Sequence, residues 1–443
     1  MAGSVNHRAL RWLRGQLPEL IAGGVITTAN AEAIDRHYQA AESRAPNFGY
    51  VVLAAIGAAL VGAGAILLVA HNWDDLSRTS RCVIAFLPLI VAHLLGFFVL
   101  LKRNDSSAWR ESVALLDVTA VAAAIALISQ TYQLQGSFAD FMRVWLLLSI
   151  PIVYLFRANF SALFYIIGCA VWMLSKAGWS FNRPGEVFFW GLLLLIVPFY
   201  VAILRQRHSG WAFRVLSLAL MAASAIGLAV TIDFAKGNLG GLAFAGFFAT
   251  VYLAGMRWQD DGNRSLNVLS VVGGMGVAAT AVTLSFESLW DFRSEFLWSG
   301  LSLEQQIALG IVLLFPVVAL TLAVWSMVQG RIFYSLSAAC IPLVAALARI
   351  ICGVAPGDHS YALAAAALFN FYALILGIEL LARGIRAGSL ARANFGLLVI
   401  AALALARFFD SDLSFVARGV GFIAVGAGFL VANMIFFRRR ARA

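Results

Sequence analysis

Charged residues are scarce in this sequence. Only 12% of the 443 residues are Asp, Glu, Lys or Arg, while 62% are hydrophobic; a soluble protein carries about 25% charged residues. Several apolar runs reach the ~20 residues needed to cross a hydrocarbon core. Such runs must be helices in lipid, because no water is there to satisfy their backbone groups. The composition therefore predicts an all-α, polytopic membrane protein.

Closely spaced metal-ligand residues are also missing. The four cysteines, Cys82, Cys169, Cys340 and Cys352, form no CxxC pair, and a zinc site needs close ligand spacing. We therefore predict no metal and no cofactor. Small apolar thiols inside helices are expected, and a disulfide between Cys82 and Cys352 is the alternative.

Sequence motifs of common enzymes and of nucleic-acid binding do not occur. There is no Walker loop, no HExxH and no GxSxG elbow, so nothing indicates an ATP-driven pump. The net charge is +10, but no basic stripe alternates with aromatic residues, and we predict no nucleic-acid partner. The basic residues lie instead in short links between apolar runs, where they set topology.

Residues 1–46 are polar and contain two helical patterns. The first pattern is interrupted by Pro18 and Gly23–Gly24, and Thr27 and Thr28 predict the cap of a second helix. Several arginines in this segment favour the cytoplasm. We predict a cytosolic helical pair, which serves either as a docking module or as a solvated cap.

Apolar runs fill residues 47–437, and we interpret them as about fourteen spans. The predicted spans are 48–70, 82–101, 112–129, 143–156, 159–175, 187–204, 212–232, 238–256, 265–286, 306–328, 332–352, 360–382, 390–406 and 415–437. Lys and Arg concentrate in alternate links and in the basic tail 438–443. This bias predicts an inner-membrane protein with both termini in the cytoplasm.

The segment 288–304 mixes aromatic and charged residues. We predict an amphipathic helix on the outer membrane surface, with Trp290 and Trp298 at the interface.

Two outer links are rich in hydrogen-bonding groups. The links follow spans 48–70 and 112–129, and short connections between the first four spans should bring them together. They suit a small molecule or lipid ligand, such as a polyol, a sugar or a lipid head group; the alternative is a hydrogen-bond network that seals the helix ends. The candidate substrate-binding residues are His71, Asn72, Trp73, Asp74, Asp75, Gln130, Tyr132 and Gln133.

Two ionisable residues lie inside neighbouring predicted spans. His93 and Asp117 are nearly equidistant from the hairpin turn between their spans, so they should reach the same depth and touch. An ionisable residue inside a membrane usually faces a partner or water. A His beside a carboxylate can relay protons, because its pKa lies near neutrality. The pair is either such an intramembrane relay or a buried hydrogen bond that locks two helices.

The second half of the chain holds further polar residues within apolar runs. Arg349 and Arg407 lie toward the outer ends of their spans and either snorkel or face a cavity. Glu379 and Arg383 stand at helical spacing, which predicts an ion pair.

Three elements of the first half resemble a known family. They are Gly23-Gly24-Val-Ile, then Gly64-Ala-Ile-Leu-Leu-Val-Ala-His-Asn-Trp73, then Ile128-Ser-Gln-Thr-Tyr132 with Gly136 and Trp145. They resemble the bacterial multi-pass membrane proteins classed as domain of unknown function 2157, over roughly residues 10–180. The resemblance implies a membrane location and no established activity, and it assigns no catalytic residue.

Three functional hypotheses follow from these features. The first is a secondary transporter or flippase-like carrier for a small polar or lipid-linked substrate. The second is a non-enzymatic binding or assembly protein with an outer recognition surface and a cytosolic docking segment. The third is an enzyme on outer-leaflet lipids that uses His71, Asp74 or Asp75 as acid or base.

Overall fold

The computed structural model describes residues 7–42, 75–177, 186–206, 210–234, 239–257, 267–290, 301–329, 336–354 and 356–410, with scattered positions after 415. The chain divides into two compact units, residues 1–81 and residues 82–443. The division into a 1–46 module, a 47–437 membrane domain and a 438–443 tail stays a prediction.

The N-terminal unit contains a helical pair, α1 (His7–Ala22) and α2 (Thr28–Glu42). The predicted break at Pro18 is wrong, because α1 continues through it to Ala22. The chain turns instead at Gly24, whose positive φ of 68° glycine adopts without strain. Thr27 then accepts the backbone N–H of Asn30 at 3.2 Å, as expected of a helix cap.

Twelve further α-helices are described. They are α3 (Arg78–Lys102), α4 (Ser107–Thr131), α5 (Phe138–Phe156), α6 (Asn159–Ala177), α7 (Glu186–Gln206), α8 (Trp211–Phe234), α9 (Gly240–Arg257), α10 (Val268–Thr283), α11 (Leu303–Val328), α12 (Leu336–Val354), α13 (His359–Arg386) and α14 (Leu390–Asp410). A short 3-10 helix, Glu287–Leu289, follows α10. No strand occurs in these parts of the chain, so the all-α prediction is confirmed.

Each predicted span from 82–101 to 390–406 coincides with one of these twelve helices. Nine of the described helices are long and apolar enough to cross a membrane, and two shorter apolar stretches are Val268–Thr283 and Ala339–Val354. Span 48–70 lies outside the described residues, and span 415–437 is described only at scattered positions. The count of fourteen is therefore approximate.

The closely spaced spans 143–156 and 159–175 are separate helices, α5 and α6. Arg157 caps the end of α5 in the left-handed conformation, with φ 50° and ψ 47°. One such residue reverses the chain direction quickly, because it diverts the backbone from the helical path. This explains how a link of two residues, Arg157 and Ala158, joins two antiparallel helices.

The predicted interfacial role of Trp290 is wrong. Its side chain is 4% exposed, its indole N–H donates to the carbonyl of Leu284 at 2.8 Å, and its ring stacks on Phe369 at 5.7 Å. An indole whose N–H has a local acceptor can be buried like any large apolar side chain. Residues 291–300 of the predicted amphipathic helix lie outside the described residues, and residues 301 and 302 are not helical.

The outer surface of the larger unit is apolar. On α3, large side chains such as Phe86, Leu94 and Phe97 are exposed, while the buried positions include Ala85, Ala92 and Gly96. A soluble monomer rarely exposes such a continuous apolar face, whereas lipid tails cover it without cost. All four cysteines are free thiols.

Glycines set the spacing of several helix pairs. A Cβ on Gly246 of α9 would lie 2.3 Å from the backbone nitrogen of Pro316 on α11, and one on Gly384 of α13 would lie 2.3 Å from that of Ala393 on α14. Membrane helices lack a hydrophobic force between them, so close backbone contact supplies much of their attraction. These glycines therefore fix which helices can touch.

We expect Gly246→Ala to lower the stability of the folded protein. The added methyl group overlaps backbone atoms that cannot rotate away, and overpacking of this kind costs about 1–3 kcal/mol. The matched control is Gly310→Ala on α11, where a Cβ meets nothing within 4 Å. Thermal unfolding in detergent micelles should show a lower midpoint for the first variant and an equal or slightly higher one for the second. Equal midpoints would remove the steric explanation.

Candidate functional site

His93 and Asp117 are positioned by the contact of three helices. Gly96 of α3 lies against Phe156 of α5 and Val113 of α4, where a Cβ would come within 2.9 Å of the Phe156 ring. This close approach brings the next turn of α3 against α4. The imidazole of His93 is thereby held beside the carboxylate of Asp117.

The predicted contact between His93 and Asp117 is confirmed. His93 Nδ1 lies 3.2 Å from Asp117 Oδ1, and the two side chains are 60% and 5% exposed. Nδ1 is closer to the carbonyl oxygen of Leu89, at 2.8 Å. Asp117 Oδ1 is buried and has no hydrogen-bond partner among the described residues. The pair is thus at ion-pair distance, while the hydrogen bond of Nδ1 goes to Leu89.

The geometry fixes the tautomer of His93. A carbonyl oxygen only accepts hydrogen bonds, so Nδ1 carries a hydrogen when it bonds to Leu89. In the neutral ring the lone pair is then on Nε2. A proton added at Nε2 makes an imidazolium beside Asp117, and the net charge of the pair changes from −1 to 0.

The outer end of α4 carries the second set of candidate residues. The helix ends at Thr131, and the backbone N–H of Gln133 donates to the carbonyl of Gln130 at 3.3 Å. Gln133 adopts a positive φ of 50°. Tyr132 is 51% exposed and its phenol oxygen accepts from the Cys82 thiol at 3.2 Å. The three residues therefore share one exposed helix end.

The first outer link is described at a single candidate position. Asp75 is exposed and belongs to the N-terminal unit. His71, Asn72, Trp73 and Asp74 lie outside the described residues. Their role in binding, with that of Gln130, Tyr132 and Gln133, remains a prediction.

Glu111 connects α4 to the beginning of α6. Its carboxylate accepts the backbone N–H of Asn159 at 2.8 Å, the side-chain N–H of the same residue at 2.9 Å, and the backbone N–H of Phe160 at 2.9 Å. A helix begins with backbone N–H groups that have no partner in the helix, and a carboxylate there is favoured by the helix dipole. Glu111 thus stabilises this end of the bundle.

A second polar cluster holds the turn after α10. Ser285 accepts from Arg407 Nη2 at 3.3 Å and donates to the carbonyl of Val282 at 2.6 Å. The carbonyl oxygen of Ser285 accepts the side-chain N–H of Asn370 at 3.3 Å. The start of α13 adds a further contact, since His359 pairs with Glu287. The turn after α10 is therefore held by α13 and α14.

The structure bears on two predictions for the second half of the chain, the surroundings of Arg349 and the ion pair of Glu379 with Arg383. Arg349 lines a cavity of about 20 Å³ with Trp290 and Gly241, which is room for roughly one water molecule. Glu379 and Arg383 form the predicted ion pair. At the start of α13, Ser360 donates from its backbone N–H and its hydroxyl to Asp358, and these bonds hold the pKa of that carboxyl below its usual value.

Sequence reasoning missed Ser285, Ser149 and Ser161. Ser285 is separated from Asn370 by 85 residues and from Arg407 by 122, so no local pattern indicates the cluster. A serine within an apolar run is too common to be singled out. These serines could be singled out only once it is known which helices are neighbours in the bundle.

These features define an all-α membrane protein with an ionisable pair between two of its helices. Residues 18–162 match the family model described as predicted membrane protein (DUF2157), which is less than half of the chain. The family resemblance is confirmed over that stretch. No curated protein and no solved structure matches the chain.

A double-mutant cycle tests the contact between His93 and Asp117. His93→Ala removes the polar group that lies 3.2 Å from a buried carboxylate, so we expect lower stability. In Asp117→Asn no carboxylate remains, and removal of His93 should then cost much less. Unfolding midpoints of both single variants and the double variant should give a coupling of about 1–3 kcal/mol. Additive effects would mean that the pair does not interact in the membrane protein.

Proposed function

We propose that this chain is a proton-coupled secondary carrier of the cell's inner membrane, with both termini in the cytoplasm. The observation that carries the proposal is the contact between His93 and Asp117 in the middle of two apolar helices. Ionisable side chains in such positions are costly and are retained mostly in ion or proton pathways.

The charge change of the pair suits alternating access. Without a bound proton the pair carries −1, and with one proton it is neutral. Moving a net charge through a region of low dielectric is expensive, so the protonated pair favours rearrangement of the surrounding helices. A carrier uses this difference to couple proton flow to the movement of a second solute.

The substrate class follows from the outer helix end. Gln130, Tyr132 and Gln133 offer exposed amides and a phenol at the end of α4. By sequence alone, the earlier link offers polar groups of its own in His71, Asn72, Trp73, Asp74 and Asp75. Amides and aromatic rings bind the hydroxyl groups and apolar faces of sugars, polyols and lipid head groups. A small polar or lipid-linked substrate is the class that these groups support.

A binding or assembly protein is the second candidate. Residues 1–81 form a compact unit of their own, in which Val25 is exposed beside the turn between α1 and α2. An exposed apolar side chain on a small polar module suits docking to a partner. In this candidate the membrane unit only anchors the module and its outer recognition surface.

The carrier proposal predicts that His93→Ala and Asp117→Asn both abolish proton-driven uptake. The purified protein would be placed in liposomes with an imposed pH gradient and offered radiolabelled polyols and sugars, or a fluorescent lipid for head-group movement. Asp358→Asn is the matched control. It also replaces a carboxylate by an amide, and it keeps the start of α13 capped because Asn caps helices as well. Uptake by both pair variants at the wild-type rate would rule out the relay.

The binding candidate predicts a different result. Deletion of residues 1–46 should abolish crosslinking of the chain to a partner in native membranes, while the unfolding midpoint of the membrane unit stays unchanged. Retention of the crosslink after deletion would exclude the docking role of this segment.

A further inference from the structure

Two serines between α4, α5 and α6 have no hydrogen-bond partner. Ser149 on α5 is 1% exposed and Ser161 on α6 is 0% exposed. Neither hydroxyl oxygen has a partner within the described parts of the chain, and neither does Asp117 Oδ1. A buried polar atom in that state is unusual in a folded protein.

Other hydroxyls on the described helices, of α4 and of α11, bond to the preceding turn. Thr119 donates to the carbonyl of Leu115 at 3.0 Å, Thr131 to that of Leu127 at 2.7 Å, and Ser326 to that of Leu322 at 3.0 Å. This is the ordinary choice for a helical Ser or Thr. Ser149 and Ser161 do not make it, so their hydroxyls are available to another ligand.

Known contacts set the relative heights of the three helices. The indole N–H of Trp145 on α5 donates to the carbonyl of Val118 on α4 at 2.8 Å. The Glu111 carboxylate on α4 caps the start of α6. The Trp145 ring also lies against Gly168 of α6. These contacts fix the positions of α4, α5 and α6 along the bundle axis at two heights. One height is that of Trp145, and the other is that of Glu111.

These levels place the three buried oxygens close together. Ser149 is one turn beyond Trp145, toward the end of the bundle at which α6 begins, and Ser161 is in the first turn of α6. With a rise of 1.5 Å per residue, Asp117, Ser149 and Ser161 lie within about 7 Å of one another along the bundle axis. Water molecules between them would bridge the lateral gaps.

Small side chains neighbour these residues along their helices. Ala114 lies one turn from Asp117 on α4, Ala162 follows Ser161 on α6, and both are fully buried. An internal water molecule typically makes about three hydrogen bonds to buried polar groups that otherwise lack partners. The two hydroxyls and the carboxylate are such groups.

We propose that internal water molecules bound by Ser149 and Ser161 connect Asp117 to the end of the bundle at which α6 begins. The inference rests on the proposed function, because it supplies one side of the proton route. A hydronium ion gives its proton to the first water or hydroxyl, each group passes on a different proton, and Asp117 changes from carboxylate to carboxylic acid. No group in the chain of waters changes its charge overall.

The charged groups around this route are few in the described helices. His93 faces Asp117 from α3. At the α6 end, Arg110 has a buried Nε atom without a hydrogen-bond partner in the described structure, and Glu111 is occupied by the cap of α6. Exposed Arg157 lies beyond them.

The experiment is infrared spectroscopy on the full chain in lipid bilayers. The carbonyl band of protonated Asp117 is assigned by its loss in Asp117→Asn, and its rate of appearance is followed after a pH jump. Ser149→Ala and Ser161→Ala should slow this rate about tenfold, the rate equivalent of one lost hydrogen-bond link. Ser149→Thr keeps a hydroxyl and should restore most of the rate.

Ser217→Ala is the matched control, because Ser217 is equally buried but its hydroxyl pairs with Tyr200 at 2.7 Å. It should leave the rate unchanged. Unfolding midpoints give a second measurement. Loss of bound water should lower the midpoint of Ser149→Ala, whereas removal of an unsatisfied hydroxyl without water should raise it.

The outcomes separate the two proposals. A titrating Asp117 band with wild-type rates in both serine variants would overturn the water route and leave the proton site. No titrating band in the wild-type protein would overturn the water route, because the proton would then not reach the Asp117 carboxylate, while the uptake assay would still decide the carrier proposal. Slowed protonation in both serine variants, with an unchanged rate in Ser217→Ala, supports both.

Discussion

A polar group inside the hydrocarbon core has no water to bind, and most of the described structure depends on this constraint. Helices satisfy their own backbones, and aromatic donors find acceptors on neighbouring helices: Trp145 donates to Val118, Tyr165 to Leu192 at 2.8 Å. Each bond joins a helix pair at a defined height. Glycines such as Gly246 then decide how closely the backbones approach. Polar bonds therefore set the register of the bundle, and small residues set its spacing.

Under this constraint, the two halves of the larger unit use some of their buried polar groups differently. In the second half, Ser285 bonds to Asn370, Arg407 and Val282, so the polar groups of that cluster are used to hold one turn. In the first half, Asp117 Oδ1 and Ser149 have no such partner among the described residues. A buried hydroxyl such as that of Ser149, which bonds to no group in the described structure, is the kind of group that an internal water molecule satisfies.

The positions of the helices could be predicted from sequence because hydropathy is a local property. The contact of His93 with Asp117 could also be predicted, since both lie on one hairpin. The predicted helix break at Pro18 is wrong because α1 continues through the proline to Ala22. The predicted interfacial position of Trp290 is wrong because its indole N–H has an acceptor six residues away, which allows the ring to be buried. Ser285 and Ser149 could not be predicted, because their surroundings come from helices distant in sequence.

The unequal exposure of the pair places its two side chains in different surroundings. The His93 side chain is 60% exposed and that of Asp117 is 5% exposed. Halfway along an apolar helix an exposed ring faces lipid rather than water, so the carboxylate beside it is the group that lowers the cost of a charge on the imidazole. Lipid tails donate no protons. In the proposed carrier, access to Asp117 must therefore come from inside the bundle, which is the side on which the proposed water route through Ser149 and Ser161 lies.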